Sequence, residues 1–192
     1  MRRRNINKGP YKNQNVLVVL VEGETEENYL NYLKSIYNKK MRLEIMRKSK
    51  MKRNIYDEIR LYSKRKHIKP QELVLLYDLE NDPYEYDKFI HCGKLNHRNT
   101  YLVQPCLEFH FLMHYEDMHL DFNQKYHPDT VYEMLLSRCP GYYKGKRFNW
   151  VKHGIFKHQI DMARKRSITT FKDVDQESFS MLGQLIEDYF IQ

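Results

Sequence analysis

Two continuous runs of hydrophobic residues in the first half of the chain predict buried β-strands. Residues 16–21 are apolar and mostly β-branched, and residues 73–77 form a second run of the same kind. Such runs are typical of central parallel strands, because helices cover both faces of a parallel sheet. Shorter patterns at residues 43–47 and 100–103 predict two further strands, the first of them at an edge.

Hydrophobic residues at helical spacing lie between these strands. After the first strand the spacing predicts a helix of about four turns. Its hydrophobic positions are Tyr29, Leu30, Leu33, Ile36 and Tyr37. Similar patterns predict a helix from Ile55 to just before Pro70 and another at residues 84–95. Because strand and helix alternate, we expect an α/β fold with a right-handed, mainly parallel four-stranded sheet and helices on both faces.

After Pro105 the pattern changes from this alternation to a succession of helices. Residues 106–115 are dense in apolar and aromatic side chains and predict a buried helix. Further helices are predicted at residues 129–138, 156–165 and 176–190. Residues 1–15 are basic and polar and predict a flexible arm. For a chain of 192 residues we expect this arm, a core at 16–115, and a helical extension at 116–192 packed on the core.

The composition favours a folded protein with a polyanionic partner. Hydrophobic residues make up 41% of the chain and aromatic residues 14%, which argues against wholesale disorder. Lysine and arginine number 33 against 25 aspartates and glutamates, which gives a net charge of +8. Such a charge favours nucleic acid as a partner. The alternative is that a composition rich in lysine, asparagine and tyrosine reflects an A+T-rich genome.

Cysteine usage and hydropathy predict a cytoplasmic protein. Cys92, Cys106 and Cys139 lie far apart, so a disulfide framework is not expected and a reducing cytoplasm is the simplest setting. The apolar run at residues 16–21 is too short for a signal-peptide core or a membrane span. We therefore expect no membrane partner.

Acidic residues directly follow both of the long hydrophobic runs. One acidic stretch occupies residues 22–27, and the other occupies residues 78–82. Ligands of parallel α/β sheets bind at the carboxyl ends of the strands, so the two stretches meet if their strands are neighbours. Clustered carboxylates repel one another unless a cation neutralises them, and their hard oxygens suit Mg²⁺ or Mn²⁺. Such a cation is what hydrolysis of a phosphodiester bond requires.

The spacing within each stretch indicates which carboxylates can share a site. Glu22 and Glu26 are four residues apart, at the strand end and in the first helical turn, and can reach one face. Asp78 and Glu80 alternate along what we expect to be an extended chain, so both would point the same way. The alternatives are favourable acids at a helix N-terminus for the first stretch, and a loop with a helix cap for the second.

Glu108 and two histidines lie in the dense segment at residues 106–115. Glu108 shares a predicted helix face with hydrophobic residues, where an ionised carboxylate is unfavourable unless it is paired or bound to a metal. We expect it at the metal site or beside it, and a salt bridge to an arginine is the alternative. His110 and His114 are spaced as zinc ligands can be, but no glutamate of a zinc-protease motif lies between them. We expect packing or surface histidines.

Two basic tracts, at residues 39–53 and 144–166, supply candidates for nucleic-acid binding. Aromatic residues are interleaved with the second tract, an arrangement that can track phosphates while it stacks on bases. These aromatic residues are Tyr142, Tyr143, Phe148 and Trp150. Lys144, Lys146 or Lys152 could also stabilise negative charge that develops at phosphorus. The alternative for either tract is a solvated helix face. The candidate nucleic-acid-binding residues are Lys48, Lys50, Lys52, Arg53, Lys144, Lys146, Arg147 and Lys152.

Three separated motifs occur in one order along the chain. They are VEGETEENY at residues 21–29, YDLE at residues 77–80 and PCLEFHFLMHY at residues 105–115. Together they resemble the RloB-like family, and a similar tail follows at residues 143–144 and 160–164. The resemblance covers about residues 15–166, and three motifs in order are far more specific than any one of them.

This resemblance implies a Toprim-like Rossmannoid core, as in the OLD nucleases, and a role in phage defence alongside a companion ATPase. Glu22 would be the strand-end glutamate, acting as a metal ligand or a general acid/base, and Glu26 would match the second glutamate of OLD-type nucleases. Asp78 and Glu80 would match an Asp-x-Asp pair. The sequence departs from that pattern in having Glu80 where aspartate is usual.

We therefore expect a nuclease that depends on Mg²⁺ or Mn²⁺ and cuts DNA or RNA in antiphage defence, and a homodimer is compatible with this function. The expected catalytic residues are Glu22, Asp78, Glu80 and Lys144. The expected metal ligands are Glu22, Glu26, Asp78, Glu80 and Glu108. A non-catalytic module that binds nucleic acid or a nucleotide is the alternative. A third alternative, primase-like nucleotidyl transfer, lacks a recognisable zinc module in this sequence.

Overall fold

The computed structural model describes residues 16–37, 42–47, 55–69, 72–81, 99–145, 148–170 and 177–191. The strands are β1 Val16–Val21, β2 Arg42–Arg47, β3 Val74–Asp78, β4 Thr100–Gln104 and β5 Phe179–Ser180. The α-helices are α1 Glu24–Ile36, α2 Ile55–Lys66, α3 Leu107–Leu112, α4 Pro128–Arg138, α5 Lys157–Thr170 and α6 Leu182–Ile186. A 3₁₀ turn at Val151–His153 precedes α5, and a π-helical turn at Glu187–Ile191 follows α6. The predicted arm at 1–15 and the predicted helix at 84–95 lie outside the described residues.

The strands form one mixed sheet in the order β2-β1-β3-β4-β5. The four strands that the sequence predicts are parallel to one another, with β2 at an edge as expected. The fifth strand is antiparallel to β4 and was not expected, because residues 176–190 predicted a helix. Only two residues of β5 pair, opposite Val103 and Gln104, and so short a strand leaves no alternating pattern in the sequence.

Alternate residues of β1 enter two hydrophobic clusters on opposite faces of the sheet, as the period of a strand requires. Val19 and Val21 belong to the larger cluster, together with buried residues of α1 and α3. Val18 and Leu20 belong to the smaller one, which includes Ile59 of α2. Both faces of the sheet are therefore covered, which explains why β1 is an unbroken apolar run.

Residues of the C-terminal segment pack into the same larger cluster. Val131 of α4, Ile160 of α5 and Leu185 of α6 are buried there beside α1 and β1. Helix α3 is shorter than the predicted 106–115, and all six of its side chains are buried. No helix among the described residues is both long enough and apolar enough to cross a membrane.

The arrangement of β1 and β3 positions the candidate site. The two strands are parallel neighbours, with Val19 opposite Val74 and Leu20 opposite Leu75. Their carboxyl ends therefore lie at the same edge of the sheet, and each end is followed by an acidic stretch. The expectation that the two stretches meet is confirmed.

Candidate active site

A tight turn after β1 brings two glutamates to the edge of the sheet. Glu22 follows the last residue of β1 and is half-buried, whereas Glu26, in the first turn of α1, is buried. Gly23 lies between the strand and the helix, and a Cβ atom there would lie 3.3 Å from Oε2 of Glu26. A glycine at this position therefore leaves room for the Glu26 carboxylate.

Asp78 ends β3 and is buried beside the start of α3. Its Oδ2 accepts a hydrogen bond of 3.0 Å from the backbone N–H of Leu107, which is in the first turn of α3. Its Oδ1 is also buried but has no hydrogen-bond partner among the described residues. One oxygen of Asp78 thus fixes the carboxylate, and the other is left to bind something further.

Glu108 is almost fully buried, at 1% exposure, and both of its oxygens are engaged. Oε1 accepts a hydrogen bond of 2.8 Å from the hydroxyl of Tyr142, and Oε2 lies 3.7 Å from Nζ of Lys144. The sequence left open either a metal site or a salt bridge to an arginine for this residue. The structure pairs it with a lysine.

Four acidic residues share one electrostatic environment and form what we call the carboxylate cluster: Glu22, Glu26, Asp78 and Glu108. Burial raises the pKa of Asp78 well above its ordinary value, and the charges of Glu26, Glu108 and Glu22 raise it further. Burial likewise raises the pKa of Glu26 to about 6, with added repulsion from Glu22 and Glu108. Asp78 and Glu26 therefore lie close enough to the other acidic groups for repulsion to oppose their ionisation.

Lys144 is the positive group beside the carboxylate cluster. Partial burial lowers its pKa, but the charges of Glu108, Asp78 and Glu80 more than offset this and leave the pKa raised. The turn that carries Lys144 is tied to α1, because the backbone N–H of Gly145 donates to Oγ1 of buried Thr25 over 2.9 Å. Gly145 has a φ of 76°, in the left-handed region that favours glycine.

Glu80 does not extend β3 as the sequence predicted. The strand ends at Asp78, and Glu80 and Asn81 adopt φ values of 48° and 62°, in the left-handed region. The turn is held by a hydrogen bond from the Glu80 N–H to the carbonyl of Pro105, at 3.0 Å. Asp78 is therefore buried and Glu80 exposed, and the two side chains do not alternate along one extended chain.

The donor chemistry of the carboxylate cluster fits a hard divalent cation. Carboxylate oxygens are the ligands that Mg²⁺ and Mn²⁺ prefer, and Oδ1 of Asp78 is an unpartnered one. No three His, Cys, Asp or Glu residues in the described part of the chain are already arranged around a single metal position. Glu108 is engaged with Tyr142 and Lys144, whereas the unpartnered Oδ1 makes Asp78 the member best suited to hold a cation directly, with Glu22 and Glu26 as neighbouring carboxylates.

The exposed acids at the start of α1 have a different partner. Arg47, at the end of β2, donates to Glu24 at 2.7 Å and to Glu27 at 2.5 Å. These contacts agree with the interpretation of Glu24 and Glu27 as ordinary acids at a helix N-terminus. Neither glutamate is among the charges that shift the pKa of Asp78.

The buried histidines of the dense segment are packing residues, as expected. Nδ1 of His114 donates to the carbonyl of Phe111 at 2.9 Å, which leaves Nε2 to accept from the hydroxyl of Tyr29 at 2.8 Å. Nδ1 of His110 lies 3.0 Å from Oγ of Ser180. Burial lowers the pKa of His110 well below its ordinary value and that of His114 to about 4, so both are neutral.

Part of the predicted nucleic-acid surface can be located. Lys144 lies at the carboxylate cluster, and Lys152 is exposed in the 3₁₀ turn. The remaining candidates lie outside the described residues: Lys48, Lys50, Lys52, Arg53, Lys146 and Arg147.

The interpretation of the interleaved aromatic residues as an exposed stacking surface is wrong for Tyr142 and Trp150. Both are buried, at 3% and 4% exposure. Trp150 packs against Phe111 and Phe148, with ring centroids 4.7 and 4.8 Å away. This burial could not be predicted, because a segment with little helix has no hydrophobic periodicity. Tyr143, in contrast to Tyr142 and Trp150, is 57% exposed.

The roles of two residues at the site were not predicted from the sequence. Tyr142 orients Glu108, and Thr25 anchors the turn of Lys144. Thr25 lies inside the acidic stretch, and its position between two glutamates could have indicated that it belongs to the site. Tyr142 had no such signal, because its contact with Glu108 spans 34 residues of sequence.

Comparison with known proteins agrees with the motifs. A family model described as RloB-like protein matches residues 17–188. Comparison with curated proteins gave no match, and comparison with solved structures gave none either. The family match spans both the sheet and the C-terminal helices, and the chain therefore belongs to the RloB-like family.

Proposed function

We propose that this protein is a nuclease that depends on Mg²⁺ or Mn²⁺ and hydrolyses phosphodiester bonds of DNA or RNA. The carboxylate cluster is the observation that carries the proposal. Two of its members, Asp78 and Glu26, have raised pKa values because they are buried beside other carboxylates. A divalent cation relieves this repulsion and is the ion that phosphodiester hydrolysis uses.

Each member of the carboxylate cluster has a role suited to its surroundings. Asp78, held through Oδ2, presents Oδ1 as a ligand, and Glu26 supplies a second carboxylate. Glu22 is half-buried at the strand end, where it can orient the attacking water or accept its proton. A bound cation would polarise the phosphoryl group and lower the pKa of that water.

Lys144 and Glu108 support the reaction from the other side of the site. Lys144 remains protonated because its pKa is raised, so it can stabilise negative charge that develops at phosphorus. Glu108, oriented by the Tyr142 hydroxyl, pairs with the ammonium group, and Thr25 holds the backbone of its turn. This arrangement keeps the positive charge in place before substrate arrives.

The wider setting of the proposal rests on the family and on charge. Two adjacent parallel strands that end in acidic stretches support a Toprim-like core. The net charge of +8 favours a nucleic-acid substrate. Resemblance to the family supports action in antiphage defence together with a companion ATPase.

A non-catalytic binding module is the competing function. The observation in its favour is Glu80, which is exposed on a left-handed turn rather than aligned with Asp78. In that case the carboxylate cluster binds a cation or a nucleotide and the basic residues bind nucleic acid, without hydrolysis.

Incubation with labelled substrates separates these functions. Purified protein is mixed with labelled single-stranded DNA, plasmid or RNA in Mg²⁺, in Mn²⁺ and in EDTA. We expect cleavage that EDTA stops, that Asp78→Asn abolishes, and that Asp57→Asn leaves unchanged. Asp57 is the matched control because it is an exposed aspartate on α2. A gel shift without products, or equal cleavage by Asp78→Asn, contradicts the nuclease.

A further inference from the structure

A groove of about 480 Å³ runs along the side of α1. Its walls are polar and aromatic side chains from α1 and from the segment after the Lys144 turn. They are Asn28, Asn31, Tyr32, Ser35, Phe148 and Trp150. The α1 residues are spaced three or four apart, which places them on one face of the helix over a length of roughly 10 Å.

The chemistry of this lining suits a neutral, planar, polar group. None of the six described lining side chains is charged, so none of them is a counter-ion to a phosphate. The amide of exposed Asn31 carries donors and an acceptor, which match the edges of nucleobases. The partly exposed rings of Tyr32 and Phe148 supply surfaces on which a base can stack.

The aromatic side of the groove is held in place before any ligand binds. The ring of Trp150 stacks with that of Tyr32 at 6.1 Å and 22°. The half-buried ring of Phe148 stacks with His153 at 4.4 Å and 22°. Because these rings are already ordered, the protein side chains would lose little additional freedom when a ligand binds.

The groove is also close to the site of proposed cleavage. Phe148 of the groove packs against Tyr142, with ring centroids 5.2 Å apart, and Tyr142 donates to Glu108 of the carboxylate cluster. Exposed Lys152 precedes His153, whose ring stacks on Phe148, so Lys152 can contact a phosphate of the same strand.

We propose that this groove binds one unpaired nucleobase of a single-stranded substrate, next to the phosphodiester bond that the carboxylate cluster would cut. The inference rests on the proposed nuclease function and adds the substrate class, a single strand with an accessible base. A paired base cannot enter, because its edge and faces are already occupied.

Trp150 is the single tryptophan of the chain, so its fluorescence reports directly on the groove. The protein is titrated in EDTA, where strands stay intact, with six-nucleotide DNA and RNA strands. Matched strands lack one base, and a blunt duplex is a third probe. We expect the complete single strand to change the fluorescence and to bind about fivefold or more tightly than the matched abasic strand and the duplex. Comparison of the DNA and RNA titrations shows which of the two strands binds more tightly.

Two groove variants and one control complete the test. Asn31→Ala and Phe148→Ala should weaken binding of the complete strand about fivefold or more, without affecting the abasic strand. Asn123→Ala, at an exposed asparagine outside the groove, should bind as the wild type does. Thermal unfolding checks that each variant is folded, and Asn31 is exposed enough that its loss should not affect folding.

The outcomes distinguish this inference from the proposed function. Equal binding of complete and abasic strands, or wild-type binding by both groove variants, overturns the base-binding groove even if metal-dependent cleavage is found. Base-dependent binding without any cleavage supports the groove and contradicts the nuclease.

Discussion

The same two helices carry two buried polar groups that differ in charge. The carboxylate cluster takes Glu26 from α1 and Glu108 from α3. A second group, called the histidine network here, takes Tyr29 from α1, His110 from α3 and the adjacent His114, together with Ser180 of β5. Both groups are largely removed from water, yet one gathers like charges and the other is neutral.

The difference agrees with a structural role for the histidine network and with the functional role proposed for the carboxylate cluster. In the histidine network burial lowers both histidine pKa values, and hydrogen bonds to Tyr29 and Ser180 connect the neutral rings to the core. In the carboxylate cluster burial raises the pKa of Asp78, and one of its buried oxygens has no partner in the described structure. Neutral groups joined by hydrogen bonds stabilise the fold, whereas crowded buried carboxylates destabilise it unless a ligand binds.

Removal of the Tyr29 side chain should produce the largest loss of stability. Its ring is fully buried and contacts Phe111 and Trp150, with centroids 5.0 and 5.1 Å away. Tyr29→Ala should lower the free energy of unfolding by about 3–5 kcal/mol, measured by urea denaturation. Tyr29→Phe should cost about 1–3 kcal/mol, because Nε2 of His114 loses its partner. An unchanged denaturation midpoint in both variants would show that the histidine network is not structural.

Acid should destabilise the protein through His114. The folded-state pKa of His114 is about 4, below its ordinary value of 6.5, so between these values only the unfolded chain binds the proton. The free energy of unfolding should therefore fall by about 3 kcal/mol from pH 6.5 to pH 4, relative to His114→Gln. Parallel stability curves for the two proteins over this range would contradict the assignment.

Neutralising Glu108 should impair catalysis without loss of stability. In Glu108→Gln the amide oxygen can still accept from Tyr142, but the charge that holds Lys144 is gone. Cleavage should fall about 10–100-fold, the usual effect of losing a group that orients a site. The free energy of unfolding should not decrease, since a buried like charge is removed. A destabilised variant with normal activity would reverse the proposed distinction between the two groups.

Glu26 should give a smaller pH effect of opposite sign. Its pKa rises from an ordinary 4.5 to about 6 in the folded protein, so between these values the folded state retains a proton that the unfolded chain has lost. Without divalent cations, the free energy of unfolding should fall by about 2 kcal/mol as the pH rises through this window, relative to Glu26→Gln. Denaturation curves at pH 4.5 and 7 measure this, and a constant difference between the proteins would rule it out.

The sequence predicted those features that depend on local pattern. The apolar runs located β1 and β3, and acids directly after them located Glu22, Glu26 and Asp78. The strand β5 escaped prediction because two paired residues have no periodicity. The turn at Glu80 was also missed, since its conformation is held by the distant carbonyl of Pro105.

Long-range contacts account for the rest of the difference. Glu108 is oriented by Tyr142 and Lys144, which come from a turn in the C-terminal half. Trp150 looked suited to stacking on nucleic acid, but its burial follows from packing against α1 and α3. Sequence patterns indicated which residues carry chemistry, whereas their pairing depends on the packed fold.

Calorimetric titration with Mn²⁺ tests the central claim most directly, because it asks whether the carboxylate cluster binds a cation. At pH 8 we expect binding by the wild type and by Asp57→Asn, and at least about tenfold weaker binding by Asp78→Asn. Binding by the wild type should weaken below pH 6, because protons compete for the carboxylates of Asp78 and Glu26. Equal affinity of Asp78→Asn and the wild type, or no binding by either, would contradict the account.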